Sequence, residues 1–221
     1  MNKRLISIAI DGPAGAGKST IAKRVAQVLE IEYIDTGSMY RALTLKVLRN
    51  NIDPKDEKKI IEILSKTDID IKNNHIYLDE VNVNEEIREN IISKNVSYIA
   101  AIKEVRDIMV GLQQNLAKKK SVIMDGRDIT TVVLPNADYK FFVTASVEVR
   151  SRRRFKELLE KGEANITFEK IMADIIKRDS IDSNREISPL MKTPDSLLLD
   201  TSDKSIEECV DIIVSRVKEV I

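Results

Sequence analysis

Tryptophan is absent from this chain of 221 residues and aromatics amount to 4%, which speaks against an aromatic-lined surface for sugars or single-stranded nucleic acid. Cys209 is the only cysteine. An internal disulfide framework and a cysteine-based zinc site are therefore excluded, and the expected location is the reducing cytoplasm. Net charge is also missing: 36 Lys+Arg balance 36 Asp+Glu, so nothing global attracts DNA, RNA or an anionic membrane, and any affinity for phosphate must be local. Apolar runs are short and the amino terminus enters a strand-like run almost at once, so neither a transmembrane helix nor a signal peptide is expected. What remains is 43% apolar and 33% charged residues, enough for one large α/β domain with a real core.

Leu5 to Ile10 reads as a strand, followed by a Gly-rich turn and a helix with Ile21, Ala22, Val25, Ala26 and Leu29 on one face. Tyr33-Ile34-Asp35 is a second strand, and a helix from about Ser38 to Asn50 ends at Asn51-Ile52-Asp53-Pro54. Between Asp68 and Asn84 the pattern alternates: Ile69 and Ile71, Ile76 and Leu78, Val81 and Val83, with turn-like pairs Asn73-Asn74 and Asp79-Glu80. This predicts a small three-stranded antiparallel meander, with a helical continuation to about Lys120. Ser121 to Met124 is a buried strand ending at Asp125, and Tyr139 to Val143 another. A basic helix from Val147 to Lys161 stops at Gly162, a second runs from about Phe168 to Ile181, and Leu197 to Leu199 is a last core strand. The alternation predicts an α/β fold, a parallel sheet covered on both faces with an inserted antiparallel subdomain.

Gly12-Pro13-Ala14-Gly15-Ala16-Gly17-Lys18-Ser19 fits G-x-x-x-x-G-K-[ST] and stands between a strand and a helix. Glycines let successive N-H groups turn around a phosphate, the helix amino end adds positive potential, Lys18 reaches the outer phosphates and Ser19 can hold Mg²⁺. No N-K-x-D guanine motif is present, which favours ATP over GTP. Asp125, at a strand end and opening Asp125-Gly126-Arg127-Asp128, is placed to act beside that metal through a water. A plain polar turn is the other reading.

Arg150, Arg152, Arg153 and Arg154 crowd one helix. They read either as a solvated face paired with Glu157 and Glu160, or as a lid that places arginines on a transferring phosphoryl group. On the next helix the heptad steps Phe168, Ile175, Asp182 and Ile171, Arg178, Arg185 turn from apolar to charged. Either Arg178 and Asp182 form an internal network, or the second half of this helix lines a wet cleft for an anionic, hydroxylated ligand. His75 reads as a turn residue and Cys209 as core.

Together with Asp35-Thr36-Gly37-Ser38-Met39-Tyr40-Arg41 and Ser188-Pro189-Leu190, these motifs make the whole chain resemble bacterial cytidylate kinases, which are P-loop nucleoside monophosphate kinases. Thr130 departs from the family pattern, which usually has glycine there, and Ser38 replaces the usual alanine. The resemblance implies a three-layer P-loop NTPase fold over 1–221, with an inserted nucleotide-monophosphate-binding subdomain at 53–102 and a helical lid at 148–166. It implies transfer of the γ-phosphoryl group of ATP to CMP or dCMP, with Mg²⁺ as cofactor. No nucleic acid or membrane partner is implied, and a monomer is expected. ATP would lie on residues 12–19 and Thr20. Lys18, Asp125, Arg127, Arg153 and Arg185 would be catalytic. Arg41 and Arg127 would grip the acceptor phosphate, with Arg185 near the transferring group. Thr36 would also contact CMP, Arg178 and Asp182 would hold the ribose, and Ser97, Arg106 and Asp128 would read the base. Cytosine offers a donor at N4 and acceptors at N3 and O2, whereas uracil would turn an acceptor toward Asp128. The rival readings are a kinase of UMP, AMP or shikimate on the same fold, and a nucleotide-gated switch protein.

Overall fold

A computed structural model describes residues 4–72, 75–164 and 166–218. Five parallel strands form the central sheet: β1 (Ser7–Asp11), β2 (Glu32–Asp35), β6 (Val122–Gly126), β7 (Tyr139–Thr144) and β8 (Leu197–Asp200), in the order β2-β6-β1-β7-β8. β1 lies in the middle, and Ile8, Ala9 and Ile10 are completely buried because helices cover both faces. One face carries α1 (Lys18–Leu29) and α8 (Ile206–Lys218), and Cys209 sits in the core between them. The opposite side carries α2 (Thr36–Arg49) and α5 (Lys103–Ala117).

Between α2 and α5 lie α3 (Glu57–Leu64), the antiparallel strands β3 (Ile69–Lys72), β4 (His75–Leu78) and β5 (Val81–Asn82), and α4 (Asn90–Ile99). The meander thus has the expected register, with Ile71 opposite Ile76 and Leu78 opposite Val81. The Asn73-Asn74 turn lies outside the described residues. This insert has no separate core: Ile60, Ile76 and Ile92 pack into one cluster with Leu43 of α2 and Met109 of α5. The helical stretch expected to run to Lys120 is broken, with a 3-10 turn at Glu86–Arg88 and a break between α4 and α5.

The basic helix is α6 (Val147–Glu160) and its partner is α7 (Phe168–Asn184); Leu158, Ile171 and Ile175 form a small core between them. Side-chain oxygens of Ser146 and Thr167 cap the two helices at their amino ends, each cap contributing about 1 kcal/mol. Gly162 has φ of +74°, which ends α6 as its sequence predicts.

Candidate active site

All five strands of the central sheet run the same way, so their carboxyl ends open on one edge, where ligands of open α/β sheets bind. Register brings the motifs together there. Asp125 of β6 pairs with Ile10 on one side and Asp35 on the other, and the glycine turn leaves the end of β1. At Gly12 a Cβ would lie 1.9 Å from the carbonyl oxygen of Val143, and at Gly15 one would lie 3.2 Å from Cβ of Arg150. Only glycine fits at the first position, so residues 12–17 are held tightly against β7 and α6. Gly17 precedes α1 without a capping side chain, and the first turn of α1 has no acidic residue. Its amide donors and positive end are free of internal neutralisation, as an anion site requires.

Lys18 is buried and donates from Nζ to the carbonyl oxygen of Pro13 at 2.9 Å. Burial, reinforced by Arg127, pushes its pKa down to about 7. Ser19 Oγ donates to Asp125 Oδ2 and Tyr33 OH to Oδ1, both at 2.9 Å. Burial and the neighbouring Asp35 push the Asp125 carboxyl up to about 6. A hydroxyl and a carboxylate side by side are hard oxygen donors of the kind Mg²⁺ takes alongside phosphate and water. Thr36 Oγ1 donates to the Asp125 carbonyl oxygen at 2.7 Å, and Thr20 is exposed in the first turn of α1. Tyr33 was not expected here; an aromatic residue in a short strand reads as core, and no sequence signal distinguishes it.

Facing the glycine turn is a group of arginines around Asp182. Arg127 Nε donates to Asp182 Oδ2 and Ser97 Oγ to Oδ1, both at 2.8 Å, and Arg178 Nε stands 3.9 Å from the same carboxylate. Of the two readings of α7, the internal network is present. Burial opposes the charge on Arg127, but Asp182 outweighs it and raises the guanidinium's pKa. Burial and Arg127 together lower Arg178 to about 9. Arg41, lowered by burial and by its neighbours Arg127 and Arg154, donates to Ser93 Oγ at 3.3 Å. Arg127 and Arg178 thus lie close to Lys18, and Arg41 lies beside both of them.

A second group lies further along. Arg106 donates to Asp128 through Nη2 and to the carbonyl oxygen of Ala100 at 3.0 Å through Nη1. Arg185 belongs with this pair: Nη2 lies 3.8 Å from Asp128 Oδ1, and Nε donates to the carbonyl oxygen of Ser188 at 2.6 Å. The expectation that Arg185 stands near the transferring group is not what these contacts give. α7 ends at Asn184 and Arg185 is extended, so its side chain leaves the Ile171–Arg178 stripe. Arg106 Nε, Arg178 Nε and Arg185 Nη2 are buried without a hydrogen-bond partner.

The arginines of α6 go to different neighbours. Arg150 reaches the glycine turn, donating from Nη1 to the carbonyl oxygen of Ala14 at 3.0 Å and to Asp179 Oδ2 at 2.6 Å. Arg153 donates to Oγ1 of Thr201 at 3.0 Å and to its carbonyl oxygen at 2.7 Å, while Thr201 Oγ1 donates to the carbonyl oxygen of Ala16. Arg153 is therefore anchored behind the turn and not aimed at a transferring group, contrary to expectation. Arg154, one residue and about 100° further round the helix, points to Asn90 and Ser93 of α4. Arg152 pairs with Glu148 in solvent.

A sequence model of the cytidylate kinase family matches residues 8–219. The chain is 57% identical to a cytidylate kinase of Clostridioides difficile over 210 residues, 95% of this chain and 97% of that protein. It is 51% identical to a cytidylate kinase of Caldanaerobacter subterraneus over 214 residues, 97% of this chain and 95% of the other. Among solved structures, a gluconokinase from Sinorhizobium meliloti shares the fold with a TM-score of 0.51 at 11% identity, covering 98% of this chain and 95% of that one. An uncharacterized protein from Eubacterium ventriosum does so with a TM-score of 0.55 at 12% identity, covering 98% and 99%. Glycine turn, converging arginines and full-length similarity agree, and the chain belongs to the cytidylate kinase family of P-loop phosphotransferases.

Proposed function

We propose that this enzyme transfers the γ-phosphoryl group of ATP to CMP or dCMP, giving ADP and CDP or dCDP. One observation carries the reading. Two buried carboxylates, Asp128 and Asp182, are each met by arginines that keep an unpartnered donor, and the Asp182 group lies close to Lys18 of the glycine turn. Buried donors without partners are costly, and a nucleotide has the acceptors to complete them.

The ATP phosphates would rest on residues 12–20, whose backbone N–H groups, Pro13 having none, would donate to them, with Lys18 on the outer ones. Arg41, Arg127 and Thr36 would hold the acceptor phosphate, Arg178 and Asp182 the ribose, and Ser97, Arg106 and Asp128 the base. Arg185, through its place beside Asp128, serves the base end. Ser19, and Asp125 through water, would hold Mg²⁺, which when bound neutralises charge on the outer phosphates. The acceptor oxygen is already anionic, so direct in-line attack needs no strong general base and no covalent enzyme intermediate. The chain's own work is to align two phosphates and surround them with cations. The segments 53–102 and 148–166 fit the roles of acceptor-binding insert and lid. A monomer working in the cytoplasm, with no nucleic acid or membrane partner, fits the zero formal net charge and the buried Cys209.

A coupled assay of ADP release with CMP, dCMP, UMP, AMP and shikimate tests the proposal. CMP and dCMP should be the best acceptors. Preference for AMP or shikimate, or ATP hydrolysis stimulated by none of the five, would overturn it.

A further inference from the structure

Asp11 ends β1 immediately before Gly12, yet its side chain takes no part in the glycine turn. It is fully buried, and it accepts three hydrogen bonds from the two residues that follow Asp128. Oδ1 accepts from Ile129 N at 2.8 Å; Oδ2 accepts from Thr130 N at 2.8 Å and from Thr130 Oγ1 at 2.6 Å. These residues open a π-helical turn, Ile129–Val133, closed by bonds from Val132 N and Val133 N to the carbonyl oxygen of Asp128. Asp128 itself has φ of −141° and ψ of 27°. Ile129 and Val133 pack the turn against Ala9, Ile34 and Met124 of the sheet. Its first two amides donate to one carboxylate on the central strand, which adds a directional hold that apolar packing does not.

We infer that Asp11 is a positioning residue for selection of the acceptor base: clamped to the amides of Ile129 and Thr130, it fixes the turn that presents the Asp128 carboxylate to the base. The inference rests on the reading that Asp128 meets the acceptor base. The Thr130 hydroxyl supplies a third bond, because threonine brings a side-chain donor of its own. Burial, with the Asp128 charge adding a little, pushes the Asp11 carboxyl's pKa up, and these three donors oppose that shift.

The test compares steady-state kinetics of Asp11→Asn, Thr130→Val, Thr130→Ser and Asp128→Asn in the full chain, with thermal melting of each. An amide in place of the Asp11 carboxylate keeps one acceptor and turns a donor toward the Thr130 amide. A bond to a charged group carries about tenfold in equilibrium terms. Asp11→Asn should raise KM for CMP about tenfold or more, with KM for ATP changed less than about threefold. Thr130→Val, which keeps both amide bonds and so tests the clamp even if Asp11→Asn does not fold, should shift CMP in the same direction by a smaller factor. Thr130→Ser should restore wild-type values. Equal rises in KM for ATP and CMP, or a fall in kcat with both KM values unchanged, would overturn the inference. Asp128→Asn separates the two levels: if it raises KM for CMP while the Asp11 and Thr130 variants do not, only the clamp is refuted. If Asp128→Asn leaves CMP unaffected, the reading of the base site falls, and the clamp with it.

Discussion

At Gly12 the Cβ of any other residue would lie 1.9 Å from the backbone oxygen of Val143, and backbone against backbone leaves nothing flexible to yield. Gly12→Ala should displace the glycine turn from β7, seen as a large fall in melting temperature and loss of ATP binding by calorimetry. The side-chain hydrogen bond of Lys18 goes to the turn it belongs to, so its truncation should leave the fold intact. Lys18→Ala should reduce turnover below detection while calorimetry still shows CMP binding. Asp182 is less simple. A side chain that touched only the 2′-hydroxyl would, when removed, affect CMP and spare dCMP. Here the same carboxylate also holds Arg127, Arg178 and Ser97. Asp182→Ala should therefore lower kcat/KM for both acceptors by freeing Arg127, and lower it further for CMP, so that the CMP to dCMP ratio falls by about tenfold. An unchanged ratio would remove the ribose contact from the site.

Helix α7 joins packing to binding along a single stripe, from Ile171 and Ile175 against α6 to Asp182 at the cleft. Burial works against the ionised form of Asp182, but Arg127 and Arg178 hold its carboxyl below the usual carboxylate range. A depressed folded-state pKa means that the stabilisation is complete above the unfolded value, about 3.9, and is lost as pH falls through the folded value. Asp182→Asn should therefore be less stable than wild type near neutrality, and the gap should close as urea unfolding is repeated at pH values descending below about 4. A gap independent of pH would mean that Asp182 acts only through shape. This stripe was legible in the sequence because helical spacing carries it, as were the glycine motif, the meander and the parallel strands. Legibility stopped where the helix does: Arg185 lies past the end of α7 and turns to Ser188. It stopped also at Arg150 and Arg153, since spacing gives a face but not the neighbour that face meets. Tyr33 and Asp11 were hidden for a third reason: each acts through a partner far along the chain, Asp125 or Thr130.

Over the whole molecule the apolar residues divide unequally. The central sheet is sandwiched between extensive clusters, whereas the contact of α6 with α7 has only Leu158, Ile171 and Ile175 fully inside, with Val147, Phe155 and Ile166 around them. Much of what joins this helical pair to the rest is polar: Arg150 to Ala14 and Asp179, Arg153 to Thr201, Lys94 to Asp174 and Ser97 to Asp182. Exposed pairs such as Lys94 with Asp174 contribute little. A unit with a small core and polar attachments opens at lower free energy than the sheet does, which is what the proposed lid would need in order to let two nucleotides enter and leave. Truncation should expose the difference. Ile123 is fully buried in β6, and Ile123→Ala should lower global stability by about 2–5 kcal/mol. Ile171→Ala removes a similar volume, but much of its cost should fall on local opening. Amide hydrogen exchange should then speed up across α6 and α7 while the sheet stays protected, with a smaller shift in the denaturation midpoint than Ile123→Ala produces. Equal acceleration of exchange throughout the molecule would mean that the two helices and the sheet unfold as one unit, and that entry to the site does not depend on the separate opening of α6 and α7.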